Sequence, residues 1–191
     1  MTNLFNLQVP NKEKKVLLHS CCAPCSCAIL RRMVEGRIEP TVYFYNPNID
    51  PLEEYERRLA ETKRIASELG LPLLIESVRQ HDNWLALVKG HETDPERGAR
   101  CIICYRDRLG VTGRKAEALG FDYFGSTLTV SPHKSAAAVN QVGQEVAEQV
   151  GVLFLARDYK KQNGCLLATQ LSKELGVYRQ DYCGCQFSMR K

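Results

Sequence analysis

The sequence predicts an α/β domain, Rossmann-like in layout, built on a five-stranded and mostly parallel sheet. Three observations predict it. Five short apolar segments recur along the chain, stretches of helical period separate them, and turn residues punctuate the junctions. The 191 residues suffice for one domain, read here as spanning 1–191, with a core that needs no disulfide staples.

The elements follow in order. Residues 15–19 (KVLLH) read as a short buried strand, and residues 25–35 as a helix with apolar Ala28, Ile29 and Met33. Residues 41–45 (TVYFY) are β-branched and aromatic, and the turn signal Asn46-Pro47-Asn48 closes them. Pro51 suits a first helical position, and residues 52–69 run amphipathically to a stop at Gly70. Residues 72–76 form the third strand. Residues 84–88 begin a helical region that 96–119 continues, with a break expected near Gly110–Gly113. Residues 121–126 form the fourth strand, Ser131-Pro132 is expected to open a long helix to Val150, and residues 152–156 form the fifth strand. Residues 164–175 are the last helix, and a cysteine-bearing tail follows from Val177. In such folds ligands bind beyond the carboxyl ends of the strands, at the topological switch point.

Composition narrows the function. A hydrophobic fraction of 44% and a charged fraction of 25% are ordinary for a globular protein. No segment approaches the roughly 18 consecutive apolar residues of a membrane span, so no membrane partner is expected. Residues 1–15 lack an apolar core and a small-residue cleavage site, so a reducing, cytoplasmic setting is expected. Nine cysteines in such a setting point to metal binding or thiol chemistry. The net charge of +4 is compatible with an anionic partner without identifying one.

Cys21-Cys22-Ala23-Pro24-Cys25 falls where the first strand turns into a helix, and a helix N-terminus favours the thiolate. Cys101-Ile102-Ile103-Cys104 is a CxxC of helical spacing, with both sulfurs on one face. Two such groups can close a four-thiolate site suited to zinc or to an iron–sulfur cluster. Cys22-Ala23-Pro24-Cys25 also has the form of a thiol–disulfide redox motif, a reading that would leave the other cysteine pairs idle. Cys183-Gly184-Cys185 would close a small, strained and easily reduced ring, which suits a reversible dithiol or metal ligation. Cys27 and Cys165, among apolar neighbours, read as core. Cys25 stays open between the main site, a second metal and neither. His133 lies near a strand end, where a proton donor, a metal ligand and a surface residue are all compatible with its position. The basic pair Lys160-Lys161 suits either a phosphate or a solvated turn.

Six segments in one order carry a family resemblance: 18–26 (LHSCCAPCS), 45–49 (YNPNI), 100–109 around Cys101 and Cys104, 131–135 (SPHKS), 158–161 (DYKK) and 178–188 around Cys183 and Cys185. Together they make the chain similar to the QueH-type, cobalamin-independent epoxyqueuosine reductases, over roughly residues 14 to 188. The resemblance implies a nucleotide alpha-hydrolase-like fold and reduction of epoxyqueuosine to queuosine at the wobble position of a tRNA with a GUN-type anticodon. It also implies a 4Fe–4S cluster on Cys21, Cys22, Cys101 and Cys104, a redox-active Cys183/Cys185 pair and an electron donor. An additional iron on a leftover thiolate such as Cys25 would be a second redox element. His133 is the first candidate for the proton donor. Tyr45, Asn46, Tyr105, Lys134, Lys160 and Lys161 are expected to meet the RNA base and phosphates. The runner-up is a zinc-stabilised nucleic-acid-binding module without redox catalysis.

Overall fold

The computed structural model describes residues 14–189, so most of the N-terminal stretch read above lies outside the described residues. The strands are β1 (Val16–His19), β2 (Thr41–Phe44), β3 (Leu73–Ile75), β4 (Tyr123–Ser126) and β5 (Leu153–Phe154). They form one sheet in the order β3-β2-β1-β4-β5, and every pairing is parallel. The expected five-stranded sheet is present, with the fifth strand cut to two residues at the edge.

Side-chain alternation splits the core into two layers. Val16 and Leu18 of β1 point to one face and pack with Ile29 and Met33 of α1 (Ala23–Glu35), Ile65 of α2 (Leu52–Glu68) and Ala168 of α6 (Gly164–Glu174). Leu17 and Phe124 point to the other face, against Leu109 of α4 (Ala99–Ala118) and Val139, Val142 and Val146 of α5 (Ala136–Val150). A short helix, α3 (His81–Leu87), leads towards α4 and buries Trp84. No described helix is long and apolar enough to cross a membrane.

Two expectations are corrected. Gly110 and Gly113 do not break α4, which runs unbroken from Ala99 to Ala118. Gly113 instead lets α5 approach, since a Cβ there would stand 2.7 Å from Val146 Cγ1. Nor does Ser131-Pro132 open a helix. Residues Thr127–Val130 form a 3-10 turn after β4, residues 131–134 continue as a turn, and α5 starts only at Ala136, where the Ser135 hydroxyl accepts from Ala138 N. Pro132 lacks a donor, but an N-cap must accept, and Ser135 supplies the acceptor.

The strand order reverses beside β1. The chain moves outward through β2 and β3, then returns to place β4 on the other side of β1. The carboxyl ends of β1 and β4 therefore flank the switch point, with the cysteine loop next to it.

Gly113→Ala is expected to lower stability by about 1 kcal/mol, because overpacking against a β-branched neighbour outweighs the helix-propensity gain. Thermal unfolding checks this, and Val146→Ala in the same chain should recover part of the loss.

Candidate metal and redox site

At the switch point His19 closes β1. Its Nε2 meets the Tyr45 carbonyl at 3.1 Å, and its Nδ1 meets the Ser126 hydroxyl at 2.8 Å. The carbonyl can only accept, so Nε2 carries the proton and Nδ1 accepts from Ser126. Burial holds this ring neutral, with a pKa lowered to about 3. The histidine thus joins β1, β2 and β4 just below the cysteines.

The next residues turn into α1. Cys22 is its N-cap residue in extended conformation, and Pro24 occupies the first turn, where a missing N–H costs nothing. Ligand atoms of Cys21, Cys22 and Cys25 all lie within 4.8 Å of one another, with Cys21 and Cys22 sulfurs 3.7 Å apart. Cys25, which the sequence leaves open, is thereby brought into the first group. Hydrogen bonds from Cys22 and Cys25 hold the Cys21 thiol well below its ordinary pKa, and the same contact pushes Cys22 up to about 12. Thr127, at 3.6 Å, and Gln180 Nε2, which donates to Cys22 Sγ at 2.9 Å, complete the surroundings.

Cys101 and Cys104 lie in the first two turns of α4. Arg97 N donates to Cys101 Sγ at 3.2 Å, and the Arg97 guanidinium clasps the Pro132 and His133 carbonyls at 2.7 and 3.2 Å. The α4 start and the 131–134 turn are thus one unit. Burial raises the pKa of both thiols.

The tail returns Cys183 and Cys185 to this place. Arg58 of α2, almost fully buried, donates to Glu54 Oε1 at 2.7 Å, to Cys183 O at 3.0 Å and to Tyr182 O at 3.2 Å. Tyr178 donates to the other Glu54 oxygen at 2.8 Å. Gly184 has φ +103°, and a Cβ there would stand 2.8 Å from Arg58 Nη1, so the CxC requires its central glycine. Cys183 is half-buried, and Lys134 Nζ donates to its sulfur at 2.9 Å. Cys185 is buried with Trp84, Val88 and Cys104.

A cavity of about 130 Å³ is lined by Cys21, Cys22, Cys25 and Cys183, with His133 and Gln180 on its wall. An adjoining pocket is lined by Cys101, Cys104, Cys183 and Cys185. Glu96, Arg108, Lys134, Cys183 and Ser188 line both. The buried Arg108 Nε has no hydrogen-bond partner among the described residues. Between them the two pockets are lined by seven cysteines, the cations Arg58, Arg108 and Lys134 and the carboxylate of Glu96, and clustered thiols beside cations fit an anionic thiolate-held centre.

The other expected site residues separate. Tyr105 lines the second pocket. Tyr45 is buried, stacked on Tyr43 with ring centres 6.4 Å apart, and its hydroxyl donates to Asp107 at 3.4 Å. Asn46 is buried, donating to Ser20 O at 2.9 Å and accepting from Arg108. Lys160 turns to the Thr129 and Lys134 carbonyls and pairs with Asp158, while Lys161 is exposed. His133 is an exposed residue of the 131–134 turn, not of a helix start. Cys27 is core as expected, whereas Cys165 is only half-buried. Sequence reasoning missed Arg58, Arg108, Thr127 and Gln180. The arginines carry a faint signal, since each falls among apolar positions of an amphipathic helix.

Parallel strands and a switch-point cavity with three clustered cysteines define the class: an α/β protein of nucleotide alpha-hydrolase-like fold. A U34-tRNA thiolase NcsA from Methanococcus maripaludis, solved with its [4Fe-4S] cluster, shares the fold with a TM-score of 0.60 at 13% identity, over 98% of this chain and 65% of that one. The family model for epoxyqueuosine reductase QueH matches residues 16–191. Relatives named epoxyqueuosine reductase QueH include proteins of Haemophilus influenzae (39% identical, 96% of this chain and 75% of the relative) and Thermotoga maritima (34% identical, 91% and 90%). The chain belongs to the epoxyqueuosine reductase QueH family, oxidoreductases of tRNA modification.

Removing one partner of the buried Glu54–Arg58 pair costs about 3–5 kcal/mol. Arg58→Met should therefore destabilise the chain by roughly that amount and, by freeing the tail, speed cleavage after Val177, as limited proteolysis would show. A second expectation concerns pH. His19 has its folded pKa depressed to about 3, so its neutral form stabilises the fold above about 6.5, and that stability is lost as pH falls. Unfolding free energy should drop by about 1.4 kcal/mol per pH unit below 6.5, and His19→Gln should flatten that part of the profile.

Proposed function

We propose that this chain reduces the epoxide of epoxyqueuosine at the wobble position of a tRNA with a GUN-type anticodon, giving queuosine. The observation that carries the proposal is the cavity that brings Cys183 onto the wall formed by Cys21, Cys22 and Cys25. Deoxygenating an epoxide to an alkene consumes two electrons and two protons and releases water. Closing the Cys183/Cys185 dithiol to a disulfide supplies two of each, so the pair balances one turnover. An external electron donor then reopens the disulfide.

Cys21, Cys22, Cys101 and Cys104 would hold a 4Fe–4S cluster, and Cys25, within 4.8 Å of the first two, would be available to an additional iron. Such a centre would supply electrons one at a time and Lewis acidity towards the epoxide oxygen. The chain's own residues do the rest. Gln180 and Arg97 N orient the Cys22 and Cys101 sulfurs by donating to them. Arg58 and Gly184 fix the dithiol over the cavity. His133, exposed on the cavity wall, would relay protons between solvent and substrate. A base flipped out of the anticodon loop would enter this cavity, with Tyr105 and Tyr182 on the walls to stack it. Lys161 is free to meet phosphates, whereas the contacts of Lys160 give it a structural role in this reading.

Anaerobic purification should give a brown protein containing iron and sulfide, bleached by dithionite. Cys21→Ser or Cys104→Ser should lower the iron bound per chain. Cys183→Ser and Cys185→Ser should keep the iron and lose turnover. A colourless protein with stoichiometric zinc would favour the nucleic-acid-binding module instead, and full turnover in the tail variants would remove the dithiol from the electron path.

A further inference from the structure

A second cavity, of about 180 Å³, adjoins the first, of about 130 Å³. The two share Cys25, Ser131, His133 and Gln180 as wall residues. The 131–133 turn lines one part of the second cavity, and α6 lines another through Cys165, Ala168 and Thr169. Cys165, expected from the sequence to be core, is thus a half-buried wall residue.

The chemistry of this wall differs from that of its neighbours. Among the described residues no carboxylate lines it, whereas Glu96 and Asp181 line the first cavity and Glu35 and Glu174 line a cleft between α1 and α6. Its permanently charged residue is Arg179. Arg179 Nη1 donates to Ser172 Oγ at 2.5 Å and to the Thr169 carbonyl at 3.3 Å, which anchors the guanidinium on α6. Its other two nitrogens have no hydrogen-bond acceptor among the described residues. The Pro24 and Pro132 rings, Val130 and Ala168 supply apolar surface, and the exposed His133 ring stands between the two cavities. Flat rings stack an unpaired base, and an anchored guanidinium with spare donors meets a phosphate or a base edge.

We propose that the second cavity is an RNA subsite that takes the nucleotide next to the wobble nucleotide. The assignment deepens the proposed function and rests on the wobble base entering the first cavity. Drawing that base out of the anticodon loop unstacks its neighbour, which then exposes a face and lies one phosphodiester away. A cavity that shares four wall residues with the first is within reach of that neighbour. A cation with no carboxylate beside it complements the phosphate that joins the two nucleotides. The neighbour can precede or follow the wobble position, where a GUN-type anticodon places a uridine after it, and the experiment separates the two.

The test uses the full chain, purified anaerobically with its metal retained, and an anticodon stem-loop RNA carrying epoxyqueuosine at the wobble position. 4-Thiouridine replaces the nucleotide before or after that position, and light-induced cross-links are mapped by mass spectrometry. One of the two probes is expected to cross-link within residues 130–133, 165–169 or 179–180. Thr169→Phe, which fills the cavity, and Arg179→Ala should each weaken RNA binding by about fivefold or more. Arg179→Lys, which keeps the charge, should recover part of the loss. Removing the base at the cross-linking position should weaken binding to the wild-type chain and leave binding to Thr169→Phe unchanged. Should a variant fail to fold, the cross-links and the abasic RNA with the wild-type chain still decide. Cross-links that fall elsewhere from both positions, or wild-type affinity in both Thr169→Phe and Arg179→Ala, would overturn the subsite and leave the wobble-base reading standing. A wild-type chain that binds no stem-loop RNA would overturn both.

Discussion

Buried positive charge is the constraint around which the site is organised. Arg58 and Arg108 are almost fully buried, and the Lys134 ammonium points inward onto Cys183. A cation removed from water costs several kcal/mol unless an anion or several acceptors replace its hydration. Arg58 meets that demand with Glu54 and two tail carbonyls. Arg108 has the Asn46 amide oxygen and Lys134 has a sulfur, each fewer acceptors than its donors could use. The remaining demand is for negative charge, and the Glu96 carboxylate and the thiols lining the same two pockets are groups able to provide it.

This constraint explains why four distant chain segments must meet. The 21–25 loop, the start of α4, the 131–134 turn and the tail contribute sulfurs or cations that are unfavourable alone and mutually compensating together. The sheet decides the meeting place. His19, bonded to Ser126 and to the Tyr45 carbonyl, ties three neighbouring strands at the point where strand order reverses. Asn46 extends that tie by linking Ser20 O to Arg108. Residues that a motif reading assigns to substrate thus hold the platform on which the sulfurs stand.

Much of the fold was legible because its signals are local. Five apolar runs and a proline-opened α2 need only short-range pattern to be read. The errors arose where a neighbour overrode a local preference. Gly113 resembles a helix breaker until Val146 is seen against it. Ser131-Pro132 resembles a helix start until Ser135 supplies the cap bond. The site was legible in its ligand types and partly in its groupings. The companionship of Cys25 with Cys21 and Cys22, the burial of Tyr45 and the roles of Arg58 and Gln180 depend on contacts between residues as much as 158 positions apart.

By itself the sequence determined that this is an α/β protein with grouped cysteines and a cysteine pair in its tail, because residue type, short spacing and strand–helix alternation are properties of neighbouring residues. Only the tertiary structure decided which sulfurs share a cavity and which cation stands beside each. It also decided that Cys183 faces the centre while Cys185 lies behind it. The physical reason is range: thiolate chemistry is set by burial and by charges within a few ångströms, and those neighbours come from helices, turns and a tail that lie far apart along the chain.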